Sequence, residues 1–460
     1  MSQIETVGTA AGHAKNVTND VNDKKASVGE FLSVDLSSPP NLMWVTDIVS
    51  RCSNHYIDAD GILVTCFDGR GRVLDDEPLI ADFGDVLPFL WHFGAHEFVT
   101  DQLQRAPRYL DRGLYKQYGK VRLFSNHDWL LGLLSVYRQS GDERVLALAE
   151  VGAKSIGTRF FRGDVLIDEL PGDGTWRSWL QAASPFNGGY IELWVDLHDL
   201  TGQALYLEWA QRLATGWIAT SAFRTHGIFA RKLSARSDMC DWLASRWATL
   251  KARLFKDNTN LMWGLIALDK ATKNPVWRHA IGQWLDGFER YFLNDGNVYL
   301  HVDQHWQGYE PSLKAAFSAI ELLCDLHLAG IQAPRARALA CRVADRWLPH
   351  QWENDLFPEH PGGERDHLDA NLDLIVALNK LSAITGKREY VSAANRCAVA
   401  LLALHRTQYG YCLAVNAQGG VVDPRIVVKY QVLLMKLALL PREVASLLHD
   451  AHRLELLRDR

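Results

Sequence analysis

The sequence predicts an all-α protein, an (α/α)6 or (α/α)7 toroid of helical hairpins with a short N-terminal β-hairpin. Short turns recur about every sixty residues, and such self-similarity is typical of stacked hairpin units. Each turn follows an apolar helix and precedes an amphipathic one, and glycine is a common helix stop signal. Five turns carry this pattern: Ser140-Gly141-Asp142, Thr201-Gly202-Gln203, Thr272-Lys273-Asn274-Pro275, Ala329-Gly330-Ile331 and Thr385-Gly386-Lys387.

The more apolar helix of each pair is predicted to lie inside the ring. The second helix, richer in Arg, Glu and Lys, is predicted to form the outer layer. Two further pairs fit less closely, 82–99 with 101–109 and 425–440 with 442–457, so we expect six or seven hairpins. The five clear inner helices are predicted over 128–139, 188–200, 260–271, 311–329 and 369–384.

The N-terminal part of the chain is expected to be organised differently. Residues 1–30 are polar and are predicted to be a disordered tail. Residues 31–80 are predicted to contain a helix and a β-hairpin, because Asp68-Gly69 lies between two apolar runs and Asp-Gly favours a hairpin turn. Residues 81–460 would form the toroid, which we expect to be a catalytic domain.

The composition argues against several classes of protein. The chain has 49 basic and 54 acidic residues, a net charge of −5, and so lacks the charge of a typical nucleic-acid-binding protein. Apolar runs of membrane-spanning length and the apolar core of a secretory signal are both missing, which predicts a cytoplasmic protein without a membrane partner. The seven scattered cysteines are typical of reduced thiols. We expect no cofactor, and the oligomeric state is left open.

The long connections between hairpins are the expected functional face. If all the plain turns lie on one face of the ring, these connections lie on the other, beside the N-termini of the inner helices. Loops on a rigid scaffold commonly carry functional groups. The predicted site residues are His127, Asp128, Asp173, Trp176, Arg177, Asn187, Asp303, His305, Trp306, Glu310, Trp352, Glu359, His367, Arg425 and Tyr430.

Two groups of these polar residues have competing interpretations. Asp128, Asn260 and Asp369 stand where helix N-caps belong, and capping would explain each of them. In an extended chain, His301, Asp303 and His305 would project to one side. They could then ligate a metal, contact a substrate or exchange protons with it, or form a solvated loop. We expect no metal.

A glycoside-cleaving site would explain this face. Indole rings bind the apolar faces of sugars, and two carboxyl groups across a cleft supply the acid and the base or nucleophile. Asp173 and Asp303 are the predicted catalytic pair, with Glu359 as the alternate. His305 and His367 would orient the sugar or move a proton.

The remaining predicted residues would bind the substrate. Arg177 and Arg425 would hold a carboxylate, and Trp176 and Trp306 would form a stacking platform. Further substrate contacts are predicted for His127, Asp128, Asn187, Glu310, Trp352 and Tyr430.

Two hairpins carry a family resemblance. Asn187-Gly188-Gly189-Tyr190-Ile191-Glu192-Leu193-Trp194 and His367-Leu368-Asp369-Ala370-Asn371-Leu372, with their turns, resemble the six-hairpin (α/α) toroid enzymes of carbohydrate metabolism. That group includes unsaturated glucuronyl hydrolases, N-acylglucosamine 2-epimerase-like isomerases, glucuronyl C5-epimerases and polysaccharide lyases. The resemblance covers roughly residues 80–457, but no catalytic motif of one family is matched residue by residue.

The resemblance implies a carbohydrate-active enzyme. We predict a glycoside hydrolase acting on an oligosaccharide or polysaccharide, including one that contains uronic acids. A polysaccharide lyase or a sugar epimerase on the same scaffold is the first alternative. A terpene-cyclase-like enzyme and a non-catalytic helical-repeat binding protein are alternatives of other classes.

Overall fold

The computed structural model describes residues 43–170, 182–234 and 250–440. Helices dominate these ranges, and most of them occur as consecutive antiparallel pairs. They are α1 (Met43–Asn54), α2 (Phe83–His92), α3 (His96–Arg105), α4 (His127–Ser140), α5 (Glu143–Arg159), α6 (Gly189–Thr201), α7 (Ala204–Ile218), α8 (Ser221–His226), α9 (Thr259–Thr272), α10 (Pro275–Gly287), α11 (Leu313–Leu328), α12 (Ala333–Trp347), α13 (Leu368–Thr385), α14 (Arg388–Leu404) and α15 (Val428–Leu433).

The plain turns form as predicted. Gly141 and Gly386 end their helices with φ of 68° and 73°, a left-handed conformation that glycine adopts without strain. The helix that follows is capped at two of these turns. Asp142 accepts a hydrogen bond from the Arg144 amide, and Asn274 accepts one from the Val276 amide.

Seven inner helices form a closed ring in the described part of the chain. Their order around the ring is α2, α4, α6, α9, α11, α13 and α15, and α15 packs back against α2. The choice between six and seven is therefore decided in favour of seven inner helices. Helices α3, α5, α7, α10, α12 and α14 each pack outside their partner. The outer helix predicted at 442–457 lies outside the described residues, and α1 packs against α15.

Burial separates the two layers as the sequence predicts. Every residue of α6 from Gly189 to Leu197 is buried. In α7 only one face is buried, with Tyr206, Trp209, Leu213 and Trp217 at helical spacing. The inner helices are thus enclosed on nearly all sides, so a charged side chain on one of them faces either a partner or the ring interior.

Short strands connect the hairpins. The predicted β-hairpin is present, with β1 paired antiparallel to β2 and its turn closed by Asp68, which accepts bonds from the amides of Arg70 and Arg72. Strand β18 joins the other edge of β1. The strands are β1 (Val64–Phe67), β2 (Val73–Pro78), β3 (Leu110–Asp111), β4 (Leu114–Gln117), β5 (Lys120–Val121), β6 (Phe161–Arg162), β7 (Val165–Leu166), β8 (Ala182–Ala183), β9 (Leu233–Ser234), β10 (Leu250–Arg253), β11 (Leu293–Asn294), β12 (Asn297–Asp303), β13 (Gly308–Pro311), β14 (Arg406–Thr407), β15 (Gly410–Tyr411), β16 (Ala414–Val415), β17 (Val421–Asp423) and β18 (Ile426–Val427).

Two further properties can be read from the described ranges. Each of their helices is too short or too polar to cross a membrane. The six cysteines they contain are unpaired thiols, and five of those are buried.

Candidate functional site in the ring cavity

A cavity of about 890 Å³, counting its open mouth, lies inside the ring. All seven inner helices, or the turns that lead into them, contribute to its wall. The wall combines carboxylates, lysines and aromatic rings from Gly84, Asp85, His127, Asp128, Leu131, Phe186, Glu192, Phe255, Lys256, Asn260, Trp263, Phe317, Ser318, Glu321, Asp369, Asp373, Lys429, Leu433 and Lys436. Many of these residues belong to the first turns of their helices, which places the cavity on the predicted loop face.

Three carboxylates meet where α2 crosses α4. Asp82, Asp85 and Asp128 each offer an oxygen within 4.8 Å of the others. Two glycines allow this crossing, because a Cβ on Gly84 would overlap the Asp128 carbonyl and one on Gly132 would overlap the Gly84 backbone. The close approach of the two backbones therefore brings the acidic side chains together.

Lys429 from α15 neutralises part of this cluster. Its Nζ donates to Asp82 Oδ1 at 2.8 Å and to Asp85 Oδ2 at 3.0 Å. Burial lowers the pKa of Lys429, but Asp82, Asp85 and Asp128 outweigh burial and raise the pKa well above its usual value. Burial would raise the pKa of Asp85, but Lys429 outweighs it and the pKa is lowered. For Asp82 burial prevails, and its pKa is raised.

Among the described residues, the same carboxylates form the one group suited to hold a metal ion. Asp82, Asp85 and Asp128 have suitable oxygen ligands for a hard cation. The Lys429 ammonium already bonds to two of them, so it supplies the positive charge that a metal would bring. The cluster as it stands does not fit a metal unless Lys429 moves.

Asp128 is held in its charged form. His127 Nδ1 lies 2.8 Å from Asp128 Oδ1. Burial would raise the pKa of Asp128, but the bond with His127 and the positive charge of Lys256 outweigh it and lower the pKa. The His127 ring packs directly on Gly189 of α6, where a Cβ would overlap it. This contact fixes the imidazole beside its carboxylate.

The opposite wall is formed by α11 and α13. Asp369 is the second residue of α13, and Asp373 lies one turn further along the helix, 3.4 Å from Lys436 Nζ. Glu321 of α11 lies 3.8 Å from Lys380 Nζ. Among the described residues, Asp369 has neither a hydrogen bond nor an ion pair through its side chain.

Aromatic rings fill the spaces between the charged groups. Trp263, which is 9% exposed, donates its indole N–H to Asp325 Oδ2 at 3.0 Å. Phe255 and Phe317 lie edge to face at 5.5 Å. Phe186 lies edge to face with His127 at 5.7 Å. The cavity thus offers apolar ring surfaces beside carboxylates, a combination suited to polar molecules with apolar faces.

The simpler capping interpretation of three polar residues is wrong. Helices α4, α9 and α13 begin two residues earlier than capping by these residues requires, so Asp128, Asn260 and Asp369 are each the second residue of a helix. The side chain of Asn260 donates to the Phe186 carbonyl at 3.2 Å. Asp128 and Asp369 line the cavity instead.

Among the other predicted site residues, His367 and Tyr430 lie together, next to the cavity wall. Their rings are 5.7 Å apart, edge to face. Asp369 and then burial raise the pKa of Tyr430, so its phenol stays protonated. Burial and then Lys314 lower the pKa of His367, which favours a neutral imidazole.

The hairpin formed by β12 and β13 carries four predicted residues, and none of them lines the cavity. Asp303 Oδ1 accepts bonds from the amides of His305 and Gln307 and closes the turn. Trp306 stacks on His226 at 3.6 Å between ring centroids. Glu310 lies 3.5 Å from His301. Because β12 ends at Asp303, His305 does not continue the row of side chains that the extended segment predicted.

The other predicted residues make local contacts away from the cavity wall. Glu359 pairs with Arg365 at 2.7 Å, and Arg425 pairs with Asp423 at 2.6 Å. Asn187 donates to the Leu166 carbonyl and to Asp168. Trp352 packs, half-buried, against the core. Asp173, Trp176 and Arg177 lie outside the described residues, so the separation of the predicted pair Asp173 and Asp303 is not defined.

Most of the cavity's charged groups were missed by the sequence reasoning because they lie within apolar helices. Their common signal is an isolated charge in an otherwise buried helix. Glu192 between Ile191 and Leu193 is one example, and Glu321 between Ile320 and Leu322 is another. Such a charge needs a partner or a cavity. The missed residues inside helices are Asp85, Glu192, Glu321, Asp369, Asp373 and Lys429, and Lys256 and Lys436 lie just outside the α-helices.

Comparison with known proteins identifies the fold. An α-1,2-mannosidase from Trichoderma reesei is 14% identical with a TM-score of 0.60, covering 85% of this chain and 91% of its own. Cellobiose 2-epimerase from Bacillus thermoamylovorans is 11% identical with a TM-score of 0.55, covering 86% and 100%. A glycoside hydrolase family 76 mannosidase from Bacteroides thetaiotaomicron is 13% identical with a TM-score of 0.51, covering 87% and 98%.

The sequence comparisons add no family. No protein-family model matches the chain, and no curated protein matches it at a significant level. The likeness at these low identities is one of fold, over nearly the whole length of the solved structures. The chain therefore has the (α/α) toroid fold that the sequence predicted.

Proposed function

We propose that this protein is a carbohydrate-active enzyme, most simply a glycoside hydrolase, whose reaction takes place in the ring cavity. The observation that carries the proposal is the placement of carboxylates on opposite walls of one enclosed, partly aromatic cavity. Glycoside cleavage needs two carboxyl groups that flank the scissile bond. The oligosaccharide substrate and the cytoplasmic location predicted above are parts of this proposal.

Asp128 and Asp369 are the proposed catalytic pair. Each is the second residue of its inner helix, so the two carboxylates lie at a similar depth. Around the ring, α4 and α13 are separated by α2 and α15 on one side and by α6, α9 and α11 on the other. The pair therefore faces across the cavity.

Their surroundings suggest different roles. Asp128, bonded to His127 and close to Lys256, stays ionised and suits the base or nucleophile. Because Asp128 suits that role, Asp369 across the cavity is assigned the complementary role of acid. Trp263 and Phe186 would contact the apolar faces of the sugar. The α-1,2-mannosidase and the family 76 mannosidase are hydrolases on the same fold, which supports the reaction type.

Sugar epimerisation is a second candidate, favoured by a different observation. Two inner helices each have a histidine and an aspartate at their N-terminus. Helix α4 begins with His127 and Asp128, and His367 stands at the N-cap of α13, two residues before Asp369. A neutral His367 could accept a proton from a carbon next to a carbonyl. Cellobiose 2-epimerase and D-mannose isomerase share the fold.

Product analysis separates these candidates. The purified protein is incubated in D2O with neutral and uronic di- and oligosaccharides, and reducing ends, near-ultraviolet absorbance and deuterium at C2 are followed together. Hydrolysis produces new reducing ends without deuterium at carbon, whereas epimerisation introduces deuterium at C2 without cleavage. An unsaturated, absorbing product would identify a lyase and contradict both candidates.

Variants test the proposed residues. Asp128→Asn and Asp369→Asn should each abolish most of the turnover. The matched control is Asp164→Asn, which changes an exposed carboxylate paired with Arg212 and should leave turnover intact. If both cavity variants kept wild-type turnover on an identified substrate, the proposed site would be wrong.

A further inference from the structure

Phe124 is an exposed aromatic side chain next to the cavity. It is 63% exposed, although it lies only four residues before Asp128. A large apolar side chain that remains in water on a folded protein often marks a binding surface. The argument depends on how the surrounding chain holds it.

The backbone on both sides of Phe124 is fixed by buried contacts. The Leu123 amide donates to the Asp168 carbonyl at 2.9 Å, and the Leu123 carbonyl accepts from the Tyr190 hydroxyl at 2.6 Å. After Phe124, the buried Asn126 bonds through its side chain to both the amide and the carbonyl of Tyr115. Phe124 is thus presented to solvent by a rigid segment, and its exposure is not that of a loose loop.

The ring of Phe124 extends the wall of the cavity outward. Its centroid lies 5.2 Å from that of Phe186, which in turn lies 5.7 Å from the His127 ring. Phe186 lines the cavity, whereas Phe124 does not. The aromatic surface therefore continues from beside the proposed catalytic Asp128 to the outside of the mouth.

Charged side chains lie close to Phe124 in the sequence. Lys120 and Arg122 both pair with Glu169, at 3.1 Å each. Side chains of this kind can hydrogen-bond the hydroxyls of a sugar whose ring lies on Phe124. The mixture of one exposed aromatic face and neighbouring charged groups matches the surface of a pyranose ring.

We propose that Phe124 is a stacking platform for a second sugar residue, outside the cavity. This inference rests on the proposed function and specifies its substrate class. The substrate is an oligosaccharide of at least two residues, with the reacting residue in the cavity and the next one on Phe124. A monosaccharide would occupy the cavity alone and would not reach the platform.

Binding to a protein that does not turn substrate over tests the platform. Asp128→Asn serves as the background, and glucose, mannose, cellobiose, cellotriose and α-1,2-mannobiose are the probes, measured by titration calorimetry and saturation-transfer NMR. Adding Phe124→Ala should weaken binding of the bound di- or trisaccharide about five- to tenfold, as expected for one aromatic contact. With Phe124→Tyr in place of Phe124→Ala, the affinity for the di- or trisaccharide should return to that of Asp128→Asn alone. Monosaccharide binding should not change.

A matched control and the opposite outcomes complete the test. Leu205→Ala removes an exposed apolar side chain beside a plain turn and should change no sugar affinity. If disaccharides bind equally well with and without the Phe124 ring, the platform is wrong while the proposed function stands. If none of the sugars binds to Asp128→Asn, with or without the Phe124 ring, and the wild-type protein turns over no saccharide, the proposed function fails together with the platform.

Discussion

Two histidine–aspartate pairs in this protein have the same separation and opposite surroundings. His127 and Asp128 are 2.8 Å apart at the wall of the cavity, and His405 and Asp366 are 2.8 Å apart in the protein interior. Asp128 opens onto the cavity, whereas both side chains of the second pair are 0% exposed. The comparison shows how one pair of residue types can support either chemistry or stability.

The interior pair is fully bonded. His405 Nδ1 lies 2.8 Å from the Cys412 carbonyl, and Asp366 Oδ1 accepts from the Val415 amide at 2.7 Å. Burial lowers the pKa of His405, but Asp366 and Cys412 outweigh it and raise the pKa to about 10. No polar atom of this pair is left for a ligand, and the pair fastens the chain just before α13.

The cavity pair is bonded on one side and open on the other. His127 packs on Gly189, and Asp128 faces the space inside the ring. Its charge is maintained from several directions, including His127, Lys256 and Lys429. The Asp128 carboxylate is therefore already ionised before any substrate enters the cavity. We infer that the surroundings, and not the distance within the pair, determine the role.

The largest expected effect is on catalytic activity, and it distinguishes the cavity pair from the interior pair. Asp128→Asn should lower kcat/KM by about 10²–10⁴-fold, the usual contribution of an acid–base group, because the amide cannot take up a proton. The free energy of unfolding should fall less than for the interior pair, since Asp128 borders the cavity and an asparagine can keep the hydrogen bond with His127. Steady-state kinetics and denaturant unfolding measured on the same preparation check this. A large loss of stability with unchanged kinetics would show that Asp128 has a structural role and not a catalytic one.

The second largest expected effect is on the stability of the protein, and it distinguishes the interior pair from the cavity pair. Asp366→Asn should lower the free energy of unfolding by about 3–5 kcal/mol, because it leaves the buried His405 charge without its partner. Activity per folded molecule should fall much less than in Asp128→Asn. Urea unfolding with active-site titration measures both quantities. Wild-type stability in Asp366→Asn would show that the interior pair has no structural role.

The interior pair should also make stability depend on alkaline pH. The pKa of His405 is raised from 6.5 to about 10 in the folded protein, so its stabilisation is fully present below pH 6.5 and is lost as the pH rises toward 10. The free energy of unfolding should fall by up to about 1.4 kcal/mol for each pH unit in this window. His405→Gln should flatten that slope. If the free energy of unfolding of His405→Gln depended on pH as steeply as that of the wild-type protein, His405 would not be the group responsible.

The smallest effect concerns the environment of Asp128. Lys256→Met should raise the pKa of Asp128, because the lysine charge helps to lower it. The acid limb of the pH–rate profile should therefore move to higher pH. Stability should fall less than in Asp366→Asn, because Lys256 is only partly buried. Lys273→Met, at another lysine with positive φ but in a plain turn, is the control and should leave the profile in place.

Local signals explain which parts of the fold could be predicted. Gly141 and Gly386 end helices through their own backbone freedom, so the sequence reveals those turns directly. The seventh inner helix, α15, could not be predicted from such a local signal. Helix α15 spans only Val428–Leu433, and Lys429 and Lys436 pair with residues of α2 and α13 that are distant in the sequence. Long-range pairing of this kind leaves no periodic pattern.

The candidate site shows the same limit. His127 and Asp128 could be selected because they lie in a polar connection at the N-terminus of a predicted inner helix, and the structure places both on the cavity wall. Asp303 was selected on similar grounds, yet its carboxylate is used to close a turn. Whether a polar loop residue reaches the cavity depends on where the strands end and how the ring closes. Neither property is encoded within a few residues of the side chain.

Helix α15 has a consequence for the synthesis of the protein. It is the last inner helix to be made in the described part of the chain. Its Lys429 pairs with Asp85 of α2, and Lys436, just after the helix, pairs with Asp373 of α13. Those lysines also complete the cavity wall. A chain still growing on the ribosome therefore has six of the seven described inner helices and an open gap in the ring. The cavity is therefore complete only after residues 428–436 have been added and the ring has closed.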